Sequence, residues 1–172
     1  MNQQQIIEQL VREHHAMEQA LSGLSPDRMR TAYVFDEWTV KDIVAHIAAW
    51  HWTVVQAIDD VLDGRAPWFA SAGPDAFNQR EVARRRDTPV SDVLEEWHAA
   101  FAALIDRVRA LSAEEWRFAA PFTWGDGQPI TVRSLFEYEY EGVGHEGGHA
   151  RQIAAWMADH NLQKSEHLKY CE

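Results

Sequence analysis

The chain has 172 residues, of which 46% are hydrophobic and 25% charged, and its formal net charge at pH 7 is -11. This usage is typical of globular proteins and argues against disorder, and an acidic surface disfavours nucleic acid as a partner. The single cysteine, Cys171, excludes an intramolecular disulfide and a thiolate zinc cluster.

The length favours one domain, residues 1–172, with a single sizeable core. The N-terminus lacks a basic segment followed by an apolar run, so it does not resemble a signal peptide. No apolar stretch approaches the roughly 18 residues that a membrane-spanning helix needs. These patterns predict a cytoplasmic protein that has no contact with a membrane.

Two long helices are predicted in the first third of the chain. Apolar residues at helical spacing indicate a helix over residues 2–22, which Gly23 ends. The second long helix begins at the N-cap residue Thr39, with Asp42 completing a variant of the capping box. It ends at Gly64.

The middle of the chain is predicted to hold a loop, a shorter helix and a third long helix. Residues 65–73 are rich in turn signals, and a helical segment follows over residues 74–86. Thr88 and Pro89 are typical of an N-cap followed by proline at the first helical position. The third long helix then runs to about Leu111.

The last part is predicted to be a loop over residues 118–130, in which residues 122–124 can pair as a short strand, followed by a helix from Thr131 to Asp159. Four glycines inside this helix each cost about 0.8–1 kcal/mol relative to alanine. Close helix packing, room for a ligand or metal ligation must offset roughly 3–4 kcal/mol, or else the helix breaks here. The glycines are Gly142, Gly144, Gly147 and Gly148.

Four long helices with short extra helical turns in their connections predict an all-α four-helix bundle. Bundle cores often hold metal sites built from side chains on facing helices. His145 and His149 share one helix face because they stand four positions apart. With His46 as the third ligand, they are the predicted metal ligands, and Trp50 and Trp156 are the predicted walls of the pocket. Such a set leaves coordination positions open for water or substrate.

Other interpretations of these residues remain open. Two histidines at this spacing are also found as ordinary core or surface residues. The stretch from His145 to His149 matches the H-E-x-x-H motif of metalloproteases, in which Glu146 would activate the metal-bound water. The extended downstream pattern of such proteases is missing, and the sequence alone assigns no catalytic residue. Arg84 and Arg85 belong to a basic run that is either a solvated face or an anchor for the carboxylates of a thiol cofactor.

Three short motifs resemble the DinB-like superfamily. The stretch from Trp38 to Trp50 is similar to the second-helix signature of that family, and it contains His46. His145-x-x-x-His149, followed by Arg-Gln-Ile, is similar to the last-helix signature, and residues 75–78 resemble the middle segment. Together the motifs cover nearly the whole chain in the expected order.

The resemblance implies an up-down-down-up four-helix bundle, often a homodimer, with a divalent metal such as zinc or nickel held by three histidines. Relatives include S-transferases that use mycothiol or bacillithiol, mycothiol-dependent maleylpyruvate isomerases, and hydrolases of a genotoxic cyclopropane metabolite. The leading hypothesis is therefore a metal-dependent S-transferase that joins a low-molecular-weight thiol to a small electrophilic molecule. The alternatives are a hydrolase of a small electrophilic metabolite and a non-catalytic small-molecule or stress-response binding protein.

Overall fold

The structure is a computed structural model that describes residues 1–137 and 143–160. The helices are, in chain order, α1 (Gln3–Leu21), α2 (Pro26–Thr31), α3 (Val40–Leu62), α4 (Asp75–Arg84), α5 (Val90–Arg109), α6 (Ala113–Arg117) and α7 (His145–Asp159). The long helices α1, α3, α5 and α7 form a bundle in which α3 packs on α5 and α1 packs on α7. The predicted all-α bundle with short extra helices is confirmed. No described helix has the length and apolar character needed to cross a bilayer.

Two short antiparallel hairpins lie in the connections between the long helices. The strands are β1 (Tyr33–Phe35) with β2 (Trp38–Thr39), and β3 (Ala119–Thr123) with β4 (Pro129–Thr131). The strand predicted at residues 122–124 is confirmed for the first two of them. The first hairpin was not predicted, because its strands have only three and two residues.

The predicted start of α3 is confirmed, whereas that of α5 is shifted. The Asp42 backbone N–H donates to Thr39 Oγ1 at 3.2 Å, and the Thr39 N–H donates to Asp42 Oδ2 at 2.9 Å, which completes the capping box. Helix α5 begins at Val90, and Pro89 precedes it with an extended ψ of 147°. Pro89 is thus the residue before the helix, and Thr88 is not its N-cap.

The prediction of a helix from Thr131 to Asp159 is wrong over residues 131–137 and 143–144, which are described and lie outside α7. Thr131 closes β4, and its Oγ1 accepts from the Ser134 N–H at 3.0 Å, but the single 3-10 turn over Arg133–Phe136 has Val132 as its N-cap. Thr131 is therefore not an N-cap; it ends a strand whose central residue, Ile130, is buried. Helix α7 begins only after Gly144, and residues 138–142, with Gly142, lie outside the described residues.

Close packing between α1 and α7 accounts for two of the glycines. A Cβ added to Gly144 would lie 2.7 Å from Glu13 Oε1, and one added to Gly147 would lie 2.9 Å from Glu13 Cγ. Both separations are shorter than real Cβ contacts. Glycine at these two positions lets the Glu13 side chain of α1 reach the first turn of α7.

Two clusters of buried apolar side chains fill the bundle, and α3 contributes to both. One cluster includes Ile43 and Trp97, and the other includes Ile58 and Leu104. Burying an apolar side chain of this size stabilises the fold by roughly 1.5–3 kcal/mol. His46, whose sequence neighbours on α3 are buried, is therefore carried by one of the most firmly packed elements of the molecule.

Candidate metal centre

The rings of His46, His145 and His149 meet where α3 faces the first turn of α7. His46 Nε2 lies 2.8 Å from His145 Nε2. The ring centroids are 4.8 Å apart for His46 and His145, 5.1 Å for His46 and His149, and 4.9 Å for His145 and His149. One nitrogen from each ring lies within 4.8 Å of the others. The structure thus brings together all three residues predicted as metal ligands.

This arrangement fits a single divalent ion. Two imidazole nitrogens that bind one tetrahedral zinc at about 2.0–2.1 Å stand roughly 3.3 Å apart. The 2.8 Å between His46 Nε2 and His145 Nε2 is close to that spacing, and one nitrogen of each of the three rings lies within 4.8 Å of the others.

All three histidines are held in the neutral form, which is the form that binds metal. Burial, followed by the proximity of His149, lowers the pKa of His46 to about 3. Burial and the two neighbouring imidazoles hold the pKa of His145 well below its ordinary value. Burial also lowers the pKa of His149, although its hydrogen bond to Gln152 acts in the opposite direction.

The orientation of His149 is set by a side chain one turn along α7. Its Nδ1–H donates to Gln152 Oε1 at 2.9 Å, which directs Nε2 away from Gln152. A partner of this kind selects the tautomer and the ring angle of a metal-binding histidine. Gln152 belongs to the motif that follows the histidine pair in the sequence.

Glu146 lies behind the histidines as a buried anion. Its Oε1 accepts from His14 Nδ1 at 3.0 Å and from Trp97 Nε1 at 2.7 Å, and its Oε2 lies 3.4 Å from His51 Nε2. Burial acts to raise the pKa of Glu146, but the hydrogen bond from His14 and the proximity of His51 lower it to about 2. The carboxylate therefore ties α7 to α1, α3 and α5.

This placement does not favour the protease interpretation of the H-E-x-x-H motif. In that reading Glu146 would activate a water on the metal, whereas here its charge is engaged by side chains from three other helices. No sequence motif points to His14 or His51. The signal that could have found them is their helical register, which buries both rings on the inner faces of α1 and α3.

Glu13 supplies the N-terminal cap of α7 from another helix. The Gly144 N–H donates to Glu13 Oε1 at 2.8 Å, and the Gly147 N–H donates to Glu13 Oε2 at 3.4 Å. A carboxylate at a helix N-terminus satisfies unpaired N–H groups and complements the helix dipole. Glu13 was missed from the sequence, because no local pattern connects it with a helix that begins about 130 residues later.

A cavity of about 940 Å³ opens beside the three histidines. Its wall also carries polar groups, among them Asn78, Gln128 and Ser134. Trp50 lies on this wall as predicted, 6.4 Å from His46 and 6.2 Å from His145 between ring centroids, and its Nε1 donates to Asn78 Oδ1 at 2.9 Å. The aromatic residues of the wall are Phe35, Trp38, Trp50, Phe69, Trp124 and Phe136.

Trp156 does not lie where the sequence interpretation placed it. It is buried in the apolar cluster with Ile43 and Trp97, 5.2 Å from the ring of His160 between centroids, and is not among the described residues that line the cavity. Its helical register put it near the histidines, but α7 turns this side chain toward α2, where the Arg28 guanidinium lies 5.8 Å from the indole centroid.

Arg84 and Arg85 lie away from the histidines and line a separate cavity of about 370 Å³. Arg85 is buried, and its guanidinium binds Glu96 at 2.5 Å and Glu81 at 2.8 Å. Arg84 is exposed and lies 3.5 Å from Glu81. The two arginines are thus not brought to the predicted metal ligands, and Arg85 is already neutralised by two carboxylates of its own chain.

The fold and the site define a four-helix bundle with a three-histidine cluster at the wall of a large cavity. The model of the DinB superfamily matches residues 9–153, and the chain belongs to that family. A comparison with curated proteins gives no match.

Solved structures share the fold at low sequence identity. A mycothiol-dependent maleylpyruvate isomerase superposes with a TM-score of 0.66 at 14% identity, over 95% of this chain and 61% of that enzyme, so the chain spans less than two thirds of its length. An uncharacterised protein from Escherichia coli UTI89 gives 0.72 at 9% identity, over 93% and 95% of the two chains. The colibactin self-resistance protein ClbS, in complex with a dsDNA, gives 0.64 at 14% identity, over 95% and 96%.

Proposed function

We propose that His46, His145 and His149 hold one divalent metal ion, zinc or nickel, and that the protein is an S-transferase. It would join a low-molecular-weight thiol to a small electrophilic molecule. The observation that carries the proposal is the convergence of three neutral imidazoles, from two helices, at the wall of a cavity of about 940 Å³.

A divalent ion bound by three histidines lowers the pKa of a thiol or a water in its open position, so that the nucleophile is available at neutral pH. The protein's part is to keep the rings neutral and oriented, through burial and the Gln152 hydrogen bond. Glu13 and Glu146 hold the first turn of α7 in place, and with it two of the three ligands.

The cavity supports a reaction between two small molecules. Its volume lies near the upper end of the roughly 300–1,000 Å³ that ligand pockets occupy, which leaves room for a thiol together with its acceptor. The aromatic wall suits an acceptor with an apolar part. Use of a thiol is also what a fold relative, the mycothiol-dependent maleylpyruvate isomerase, is named for.

The first test is metal content. Chelator-treated protein reloaded with zinc or nickel should hold one ion per chain at this centre, and His149→Ala should lose most of it. His160→Ala is the matched control, because His160 is exposed just after the end of α7 and lies outside the cluster. If His149→Ala bound metal as tightly as the unaltered protein, the proposed centre would be wrong.

The second test separates the reaction classes. Loaded protein is incubated with a reactive electrophile, with and without mycothiol or bacillithiol, and thioether product is measured. Product that needs both the thiol and the three histidines supports the S-transferase. Turnover without thiol would replace it with the hydrolase, and stoichiometric ligand binding without product would replace it with the binding protein.

A further inference from the structure

A second group of metal-binding side chains lies between α1 and α5, outside the cluster on α3 and α7. His14 Nε2 and His98 Nδ1 are 3.1 Å apart. Glu18 stands one turn after His14 on α1, and one ligand atom from each of the three residues lies within 4.8 Å of the others. None of them belongs to the three-histidine centre, and the proposed function gives none of them contact with substrate.

His14 is already oriented as a ligand. Its ring stacks on Phe101 with centroids 3.7 Å apart and an angle of 4° between the planes. Its Nδ1 lies 3.0 Å from Glu146 Oε1, and because a carboxylate accepts only, Nδ1 carries the proton. The other nitrogen, Nε2, therefore presents its lone pair toward His98. Metal-binding histidines characteristically donate their second N–H to a carboxylate in this way.

The two nitrogens are spaced for one ion. Ligands at about 2.0–2.1 Å from a tetrahedral zinc stand roughly 3.3 Å apart, close to the 3.1 Å between His14 Nε2 and His98 Nδ1. Without an ion, His98 Nδ1–H donates to His14 Nε2. Binding would require the His98 proton to move from Nδ1 to the outer nitrogen Nε2 of the same ring, so that His98 stays neutral and the lone pairs of His14 Nε2 and His98 Nδ1 both face the metal.

The third ligand and the access route are at the surface. Glu18 and His98 are exposed, whereas His14 is buried, so an ion can enter from solvent and reach the inner nitrogen. The Glu18 carboxylate supplies negative charge and an oxygen ligand. Two imidazoles and one carboxylate match the preferences of zinc and similar divalent transition ions more than those of magnesium or calcium.

We propose that His14, Glu18 and His98 form a second site for a divalent transition ion, with water in its remaining position. An ion there would tie α1 to α5 through the same His14 whose other nitrogen binds Glu146. It would therefore brace the buried carboxylate behind the first turn of α7. Its role is structural support of the first centre, and it takes no substrate.

The test is zinc stoichiometry by equilibrium dialysis and elemental analysis. The unaltered protein should bind two ions per chain. The His98→Ala variant and the triple His46/His145/His149→Ala variant should each bind one ion. A variant that combines all four substitutions should bind none. Glu18→Gln should weaken binding of the second ion by more than about tenfold, since Glu18 is itself a ligand and loss of even an outer-shell partner of a ligand costs about that much. His98→Ala is a surface change and should fold even if the triple variant does not.

His15→Ala is the matched control, because His15 is the exposed neighbour of His14 on the same helix and lies outside the cluster. It should leave both ions in place. Equal zinc binding by unaltered protein and His98→Ala would overturn the second site, and so would equal losses in His98→Ala and His15→Ala, which would mark adventitious surface binding. Failure of the first centre is distinguishable, since one ion would then remain in unaltered protein and disappear in His98→Ala.

Discussion

The molecule holds two buried clusters of charge that differ in how completely their polar atoms are paired. Around Arg85, the guanidinium donates to Glu96 at 2.8 and 2.5 Å and to the Glu81 carboxylate at 2.8 Å. Around Glu146, the charge contact of Oε2 with His51 Nε2 is long, at 3.4 Å, and neither Oε2 nor His51 Nδ1 meets a hydrogen-bond partner in the described structure; His46 Nδ1, in the neighbouring histidine cluster, meets none either. Both clusters link helices through charge, and only the second borders the large cavity.

The difference separates a structural network from a candidate site. Buried polar groups in native proteins are nearly always paired, so unpaired ones beside a cavity indicate a ligand or a function. The Arg85 guanidinium is paired with two carboxylates of the same chain, and the role of this cluster is to hold α4 against α5. The Glu146 cluster is not fully paired, and it lies behind the three histidines that line the large cavity.

The largest expected effect is that of Glu146→Ala. Removing the anion leaves His14, His51 and the Trp97 N–H without their buried partner, and breaking such a group typically costs about 3–5 kcal/mol. We expect the free energy of unfolding in urea at pH 7.5 to fall by that amount. Glu95→Ala, an exposed change on α5, should shift it by less than about 0.5 kcal/mol. Equal effects would mean that Glu146 is not the centre of a stabilising network.

Arg85→Ala should have the second largest effect and lower the free energy of unfolding by about 2–3 kcal/mol. This is the upper part of the range for hydrogen bonds to charged groups. It would leave Glu81 and Glu96 without their shared cation. Metal content should stay unchanged, because Arg85 does not line the cavity that holds the histidines. Arg84→Ala is the natural control, since Arg84 is exposed, and should have little effect on urea unfolding. Loss of metal in Arg85→Ala would remove the contrast between the two clusters.

Gly147→Ala should lower the free energy of unfolding by about 1 kcal/mol net. Alanine is normally better than glycine inside a helix by about 0.8–1 kcal/mol, but the new Cβ would lie 2.9 Å from Glu13 Cγ, and overpacking of this kind costs about 1–3 kcal/mol. The variant should also bind less metal, because Glu13 holds the first turn of α7. Gly73→Ala, with nothing within 4 Å of the added Cβ, is the control. If the Gly147→Ala variant were more stable than the unaltered protein, the Glu13 side chain of α1 would move away from the new Cβ at little cost in free energy.

The smallest expected effect is a pH dependence specific to the Arg85 cluster. Hydrogen bonding from Arg85 lowers the pKa of Glu96, and hydrogen bonds from Arg85 and Arg80 outweigh burial to lower the pKa of Glu81. A carboxyl with a lowered folded-state pKa stabilises the fold above its ordinary value of 4.5, and that stability is lost as the pH falls through the lower, folded-state pKa.

The difference in unfolding free energy between unaltered protein and Arg85→Ala should therefore shrink as the pH falls below about 4.5. Urea unfolding at a series of pH values from 7 to 3 measures it. A difference that stayed constant with pH would assign the effect of Arg85 to packing of its side chain rather than to its charge.

Local sequence patterns predicted the parts of the fold that depend on neighbouring residues. The capping box at Thr39 and Asp42, the helix stop at Gly23 and the amphipathic stripes of α1, α3 and α5 are short-range signals, and each element lies within a few residues of its prediction. The i, i+4 spacing of His145 and His149 likewise decided that these rings share a face, since helix geometry alone requires it.

Long-range contacts decided the rest. The predicted last helix is wrong at Thr131, which pairs with β3, and α7 begins after Gly144, whose N–H is capped by Glu13; both partners are distant in sequence. The burial of Arg85 between two carboxylates and the turning of Trp156 into the core likewise depend on neighbours from other helices.

By itself, the sequence determined that the chain forms a bundle of long helices and which three histidines are the candidate ligands. Helical period and capping, on which these predictions depend, are properties of residues close together in the sequence. Only the tertiary structure decided that His46 meets the other two, that Glu146 is bound by three helices, and that His14 faces His98. The physical reason is that each of these contacts joins residues 49 to 132 positions apart. Their geometry is set by how the helices pack rather than by any local pattern.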